Sequence, residues 1–447
     1  MSVNIYIYNL GCPKNEVDGQ YYAGLLQKEK NINIIDNYEA ADIIIINTCG
    51  FIESAKEESI QAIWEAVEMK NNGFCEGLVV TGCLSQRYSQ ELQQEIPEID
   101  GIFGVGEYEN IIALINKVAK GEKTTEVSSP QQNLNKKLPR KNENKSFAYL
   151  KIADGCNKRC SYCAIPFIKG DYHSKKISLL KKEAEDLLSQ EISELILIAQ
   201  DTTQYGIDIY DEPRLTELVK ELSQLPGFFW LRIMYTYLEQ INTELLKLIS
   251  EEEKVCNYLD LPIQHISKNI RNNMNRPGDE KSIKDKISKI RDEIPDISLR
   301  TSLMVGFPGE TREEFKQLKN FVQDVKFDRL GVFTYSQEEG TKAAEMSGQI
   351  SEEIKQKRYN ELMEVQKNIS LEKNQNLIGE NLNILVDEIR EDKLIGRSEY
   401  DAPDIDNIVN IETPKEININ TGNFLRCKIK AAFEYELVGE MINESSK

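Results

Sequence analysis

The stretch KIADGCNKRCSYCAIPFIKG, residues 151–170, follows an apolar run at Ala148–Ile152 and sets three cysteines in the spacing Cys156-x-x-x-Cys160-x-x-Cys163. Three thiolates this close can hold three irons of a [4Fe–4S] cluster and leave the fourth iron without a protein ligand. Clusters that only carry electrons normally take four cysteines. The apolar run is the first of six, the others lying near Leu195–Ala199, Phe229–Met234, Tyr258–Leu261, Leu299–Met304 and Arg329–Tyr335. Helical patterns such as Leu179–Leu188 and Arg312–Val325 separate them. Six βα units predict a partial (β/α)6 barrel, a fold that gathers its chemistry at the C-terminal ends of the strands.

Upstream the same alternation predicts a separate domain over residues 1–118. Val3–Tyr8, Asp42–Asn47 and Leu78–Thr81 read as strands, and Val17–Lys28, Glu53–Met69 and Gln86–Gln94 as helices. Strands alternating with helices imply a parallel, flavodoxin-like sheet covered on both faces. Residues 119–146 are rich in Lys, Asn, Gln, Ser and Pro and read as a linker. The barrel then occupies 147–350. One connecting helix follows over 351–374, with Ser351 as its N-cap. Short apolar pieces broken by turn residues predict a small all-β barrel over 375–443.

An open iron in the first cysteine set can bind the amino and carboxylate groups of S-adenosylmethionine (SAM). Reductive cleavage then yields a carbon radical, chemistry that belongs to the cofactor while the protein positions it. Tyr162, beside the last ligand, is expected near the adenine. Structural zinc with His173 as fourth ligand is the competing reading, in a spacing unusual for zinc. A second set is dispersed: Cys12, Cys49 and Cys83 each follow a predicted strand. The C-terminal edge of an open α/β sheet is where ligands bind, so the fold would gather these three for a second cluster. The competing reading is three buried thiols acting as small hydrophobes. Cys75, Cys256 and Cys427 match no ligand spacing and read as packing residues.

Bulk properties narrow the function classes. The 447 residues, 40% hydrophobic and 29% charged, fit a globular protein of about three domains. No run reaches the roughly 18 apolar residues of a membrane span, and residues 1–8 carry no secretion signal. A cytoplasmic location follows, where clustered cysteines bind metal or react more often than they pair. The net charge of −19 opposes a broad nucleic-acid surface and fits a basic protein partner. From residue 375 onward, 8 Lys and Arg face 15 Asp and Glu, a balance that argues against tRNA as a partner.

Several segments resemble the methylthiotransferase family of radical SAM enzymes. GCPKNEVD (11–18), NTCGFIESA (47–55) and TGCLSQRY (81–88) are similar to its N-terminal domain. Residues 151–170 and LRTSLMVGFPGET (299–311) are similar to its radical SAM core, and the last module to its TRAM barrel. The family usually has Ser-Glu after Val17-Asp18, where Gly19-Gln20 stand here. Pro13-Lys14-Asn15 after Cys12 and GRSEYDAPDID (396–406) resemble the ribosomal-protein branch of the family over its tRNA adenosine branch.

The resemblance implies SAM and two [4Fe–4S] clusters as cofactors, one on Cys156, Cys160 and Cys163, the other on Cys12, Cys49 and Cys83. It implies that Gln200 and Asp201, closing the second barrel strand, contact the SAM amino group, although either residue equally suits a helix cap. It implies methylthiolation of the β-carbon of an aspartate in small-subunit ribosomal protein twelve. The sequence names no sulfur donor, electron donor or oligomeric state. A tRNA methylthiotransferase, a non-catalytic two-cluster electron carrier and a zinc-stabilised assembly factor are the alternatives.

Overall fold

The computed structural model describes residues 2–130, 134–142, 146–412 and 419–442. Parts of the expected linker, and residues 413–418 and 443 of the expected final module, lie outside the described residues. The chain divides into two compact units. One comprises Met1–Glu143, Lys151–Leu179 and Ser336–Ala344; the other comprises Asn144–Leu150, Leu180–Tyr335 and Glu345–Lys447.

The first unit is built on a six-stranded sheet: β1 (Val3–Asn9), β2 (Ile32–Ile34), β3 (Ile43–Thr48), β4 (Gly77–Gly82), β5 (Gly101–Phe103) and β6 (Thr124–Glu126). All pairings are parallel, in the order β2-β1-β3-β4-β5-β6. The first five strands follow the flavodoxin-like order. β3 and β4 are buried along their whole lengths, which explains why they read as unbroken apolar runs. Ile44, Ile46, Leu78 and Val80 pack with Ile63 and Val67 of the helix Glu53–Asn71. β6 lies in the stretch expected as linker. Its sequence TTE carries no apolar signal, and its pairing with β5 alone makes it a strand.

This unit also holds a two-stranded antiparallel pair, β8 (Ala153–Asp154) with β9 (His173–Ser174). The pair closes the base of the cysteine loop and puts His173 opposite Asp154.

The second unit carries the barrel strands β7 (Phe147–Lys151, less its last residue), β10 (Glu194–Ile198), β11 (Trp230–Ile233), β12 (Tyr258–Asp260), β13 (Ser298–Val305) and β14 (Arg329–Thr334). They form two sheets, β7-β10-β11 and β12-β13-β14, with β10-β11, β12-β13 and β13-β14 parallel. The bridge Leu231↔Val255 and the Thr236 N–H donated to the Asp260 carbonyl join the sheets into one arc in chain order. The helix Arg312–Val325 starts at a capping box of Thr311 and Glu314, a signal legible in the sequence. Ser351 occupies the N-cap of the helix Glu352–Gln375, but its side chain makes no capping bond.

Five strands close the C-terminal barrel in the order β15 (Asn381–Ile389), β16 (Lys393–Ser398), β17 (Ile408–Glu412), β19 (Glu436–Met441) and β18 (Phe424–Ala432). Ile384, Leu394, Val409, Ile411, Ile429 and Leu437 fill it. The turn between β16 and β17 reaches the N-terminal ends of the partial barrel's strands within this unit. There Arg300 of β13 pairs with Asp406, and Tyr258 of β12 donates to the same carboxylate at 2.7 Å. Arg232 of β11 donates to the Glu399 carbonyl at 2.7 Å, and Arg397 pairs with Glu194 of β10 at 2.7 Å. The acidic run at 396–406 is thus largely bonded inside the molecule.

Candidate functional site

The six cysteines of the two sets all lie in the first unit, and none of the chain's nine is in a disulfide. Cys12 is the N-cap of the helix Pro13–Leu26, whose Pro13 suits a first turn. Cys49 follows β3 directly, and Cys83 follows β4 and opens the helix Cys83–Glu95. Because β1, β3 and β4 are neighbours in the sheet, these thiols leave one edge on adjacent strands. Strand order reverses between β1 and β3, the point where such sheets take ligands.

Glycines let the three loops touch. Gly11 has φ +87°, and a Cβ there would lie 2.6 Å from Cys49 Cβ and 2.9 Å from its sulfur. A Cβ on Gly50 would lie 2.7 Å from the Leu84 backbone. No other residue permits this approach. Asn15 ties the strand ends, donating from its amide to the Leu10 and Asn47 carbonyls at 2.7 and 3.1 Å. Asn47 returns a bond to the Asn15 carbonyl at 2.7 Å. Ser59 holds Cys49 from the neighbouring helix, accepting from its N–H and donating to its carbonyl, each at 2.9 Å. Burial pushes the Cys49 thiol up to about 11 and the Cys83 thiol up to about 12, with Lys169 opposing both shifts. Metal binding at such thiols must displace protons.

The other trio sits on the loop between β8 and β9, all three half-buried. Gly155, at φ +78°, turns the chain into the loop, and the Cys156 N–H bonds the Gly170 carbonyl at 3.1 Å. The Cys163 N–H bonds the Cys160 carbonyl at 3.1 Å. Tyr162 is also half-buried. Among the described residues no three His, Cys, Asp or Glu side chains converge on a single-ion site. A four-iron cluster takes one thiolate per iron, so its ligands surround a cage. Three thiols per site, on loops that glycines allow to close, suit that group.

A buried charge network joins the two regions. Asp18, on the helix that Cys12 opens, bonds Lys151 and accepts from Lys169 at 2.8 Å and from the Tyr108 hydroxyl at 2.6 Å. Asp154, two residues before Cys156, pairs with Lys151 at 2.9 Å and Lys169 at 3.6 Å. All four charged side chains are at most 4% exposed. Burial pushes the Asp18 carboxyl up, but the two lysines outweigh it and leave it below the ordinary range.

Gln200 and Asp201 follow β10 in the second unit. The Asp201 carboxylate caps the turn Thr202–Gln204, accepting from the Thr203 N–H at 3.0 Å and from its hydroxyl. Gln200 is half-buried. Sequence reasoning missed Asn15, Asn47, Ser59 and the charged network. Asn15 and Asp18 stand inside GCPKNEVD, yet nothing in that string predicts that an asparagine spans two strand ends or that an aspartate meets two lysines more than a hundred residues away.

Comparison with known proteins agrees with this architecture. Residues 4–104 match the uncharacterized protein family UPF0004, 150–322 the radical SAM superfamily and 378–442 the TRAM domain. The chain is 47% identical over 443 residues to the ribosomal protein uS12 methylthiotransferase RimO of Desulforamulus reducens, covering 98% of this chain and 99% of that one. It is 45% identical over 444 residues to the RimO of Clostridioides difficile, covering 99% of each. Among solved structures, the radical SAM methyltransferase TsrM of Kitasatospora setae superposes with a TM-score of 0.55 at 13% identity over 75% of each chain. The radical SAM enzyme OxsB superposes at 0.53 and 12% identity, over 82% of this chain and 56% of that one. These two likenesses concern the fold. Radical SAM enzymes work with a [4Fe–4S] cluster and SAM, and with relatives of this identity along its whole length, the chain belongs to the RimO family of radical SAM methylthiotransferases.

Proposed function

We propose that the chain adds a methylthio group to the β-carbon of an aspartate in ribosomal protein uS12, in the cytoplasm, using SAM and two [4Fe–4S] clusters. The substrate follows from the names of the full-length relatives, and the aspartate from the resemblance of Pro13-Lys14-Asn15 and GRSEYDAPDID to the ribosomal-protein branch. The observation that carries the two-cluster reading is the second trio of thiols, on three adjacent strand ends of the unit that also holds Cys156, Cys160 and Cys163. No helix of the described residues is long and apolar enough to cross a membrane. We assign 1–118 to the auxiliary-cluster domain, 119–146 to a linker, 147–350 to the radical SAM core, 351–374 to a connecting helix and 375–443 to the TRAM barrel.

In this reading Cys156, Cys160 and Cys163 hold the cluster that binds SAM, and Cys12, Cys49 and Cys83 hold the auxiliary one. When bound, these groups supply a carbon radical able to take hydrogen from an unactivated C–H, and the methylthio group that replaces it. The chain's own residues orient and desolvate. Tyr162 lines the adenine side, and the Gln200 carbonyl accepts from the SAM ammonium, as amide oxygens do. Asp201, engaged in its cap, fixes the turn after Gln200. Asn15, Asn47 and Ser59 hold the auxiliary loops, so that two reacting groups meet in an effectively intramolecular encounter.

The test is anaerobic reconstitution followed by separate incubation with uS12 and with tRNA. Modified uS12 together with S-adenosylhomocysteine and 5′-deoxyadenosine is expected. Modified tRNA, or only one of the two SAM products alongside modified uS12, overturns the scheme.

A further inference from the structure

Part of the first unit's sheet is uncovered. Between β2 and β3 the chain makes a single short turn, Tyr38–Ala40, where a helix would otherwise lie over β1. Parallel sheets are normally covered on both faces. Tyr6 and Tyr8 of β1, in register with Ile44 and Ile46 of β3, therefore floor an open groove of about 510 Å³ beside the helix Glu53–Asn71. The Tyr6 ring centre lies 6.2 Å from that of Tyr8 and 6.1 Å from that of Tyr38. Tyr8, Tyr38 and Phe74, all lining the groove, are 40, 49 and 61% exposed. Exposed apolar patches of this kind, rimmed by polar groups, mark interaction sites.

The rim is acidic. Glu65 and Glu68 line the groove, and no lysine or arginine does. The two cations of their helix are engaged elsewhere, Lys56 by Glu53 and Glu338 and Lys70 by Asp100. Aromatic ring faces attract a cation, carboxylates beside them add to the attraction, and the apolar floor suits the hydrocarbon stem of a lysine or arginine. The groove also follows the strands that lead to two of the auxiliary thiols. Tyr8 is four residues from Cys12, at most about 14 Å of chain.

We propose that this groove docks a lysine- or arginine-bearing segment of the protein substrate and so holds that substrate beside the auxiliary site. The proposal rests on the ribosomal-protein reading. A ribosomal protein meets RNA phosphates through Lys and Arg, and those charges complement this rim. The same rim repels a nucleic acid. A second copy of this chain, with its net charge of −19, brings mostly like charge.

The experiment measures anaerobic binding and turnover of uS12 by the reconstituted full chain. It compares the parent with Glu65→Lys/Glu68→Lys and with Tyr38→Ala/Phe74→Ala. Glu91→Lys/Glu95→Lys, at exposed positions of the helix Cys83–Glu95, is a control of equal charge outside the groove. Both groove variants are expected to raise Kd and KM for uS12 about tenfold, with kcat and iron content unchanged, while the control stays near the parent. An unchanged Kd in either folded groove variant overturns the proposal and leaves the ribosomal-protein reading standing. Equal weakening in the control assigns the effect to the overall charge and also overturns the proposal. A parent that neither binds nor modifies uS12 overturns both. A dimeric parent in light scattering that the groove variants turn into monomers assigns the groove to a second copy and overturns the docking role. Unfolding of both groove variants assigns these side chains to the fold alone and overturns it as well.

Discussion

Asp401, in the turn between β16 and β17, pairs with Arg329, the first residue of β14, at 2.6 Å, and both are buried. The Asp401 carboxylate also accepts from Ser398 at 2.6 Å and the Asn407 N–H at 3.2 Å. With Asp406 on Arg300, and with Arg397 at the end of β16 on Glu194, this segment fastens the small barrel onto the start of the radical SAM strands. The acidity of this module therefore serves packing as well as any basic partner.

Asp401→Ala strands a buried guanidinium. Breaking one partner of such a pair costs about 3–5 kcal/mol. A marked drop in the urea midpoint with unchanged iron content is expected. An unchanged midpoint would show that the turn does not fasten the barrel.

Acid should loosen the same unit through Glu194. Burial pushes its carboxyl up, but Arg232 and Arg397 outweigh burial and lower it from the ordinary 4.5. A carboxylate lowered on folding stabilises fully above its unfolded value, and that stability is lost as pH falls through the folded value. Denaturant midpoints should therefore change little on this account between pH 7 and 5 and fall below about 4.5. Glu194→Gln should be less stable at neutral pH and show a shallower acid slope. Parallel slopes in the two proteins would remove Glu194 from the effect.

Much of the fold was legible because it rests on local periodicity. The Ile43–Ile46 run reads as a buried strand, and Thr311 with Glu314 marks a helix start. The helix Pro13–Leu26 was harder, and the sequence reading begins it at Val17. It buries Lys14, Asn15, Asp18 and Gln20 along with its apolar residues, so no apolar stripe separates from a polar face. That shift matters for the site, since it hides Cys12 as an N-cap. In the same way the third helix starts at Cys83, three residues before the apparent start at Gln86. The cysteine spacing was visible as a string of residues. The contacts that shape it, such as Ser59 on Cys49, are tertiary and leave no periodic trace. GRSEYDAPDID resembles the ribosomal-protein branch, as the full-length relatives bear out, and its carboxylates also meet arginines near the starts of β13 and β14.

The cysteines outside the two trios give a clean contrast. Cys75 lies in the core of the first sheet and Cys427 in the core of the small barrel, both buried. Cys75→Ala and Cys427→Ala should each cost roughly 1 kcal/mol through lost apolar contact and leave iron content untouched. Loss of about four irons in either variant would mean that a ligand has been misassigned.

Gly11 offers the sharpest separation of the two sites. A side chain there meets strain twice. Its φ of +87° belongs to the left-handed side, at about 1–2 kcal/mol for a non-glycine residue. Its Cβ would also overlap Cys49, which Ser59 holds in place. Gly73 has a similar φ of +76°, but a methyl group there would have nothing within 4 Å of it, so Gly73→Ala carries the backbone strain without the collision. Gly11→Ala is expected to lower iron from about eight to about four per chain, taking two four-iron clusters as the reference, to keep SAM cleavage and to lose methylthio transfer. Gly73→Ala should keep all the iron and both reactions. Full iron in Gly11→Ala would mean that Cys49 is no ligand, because the collision displaces that side chain before any other.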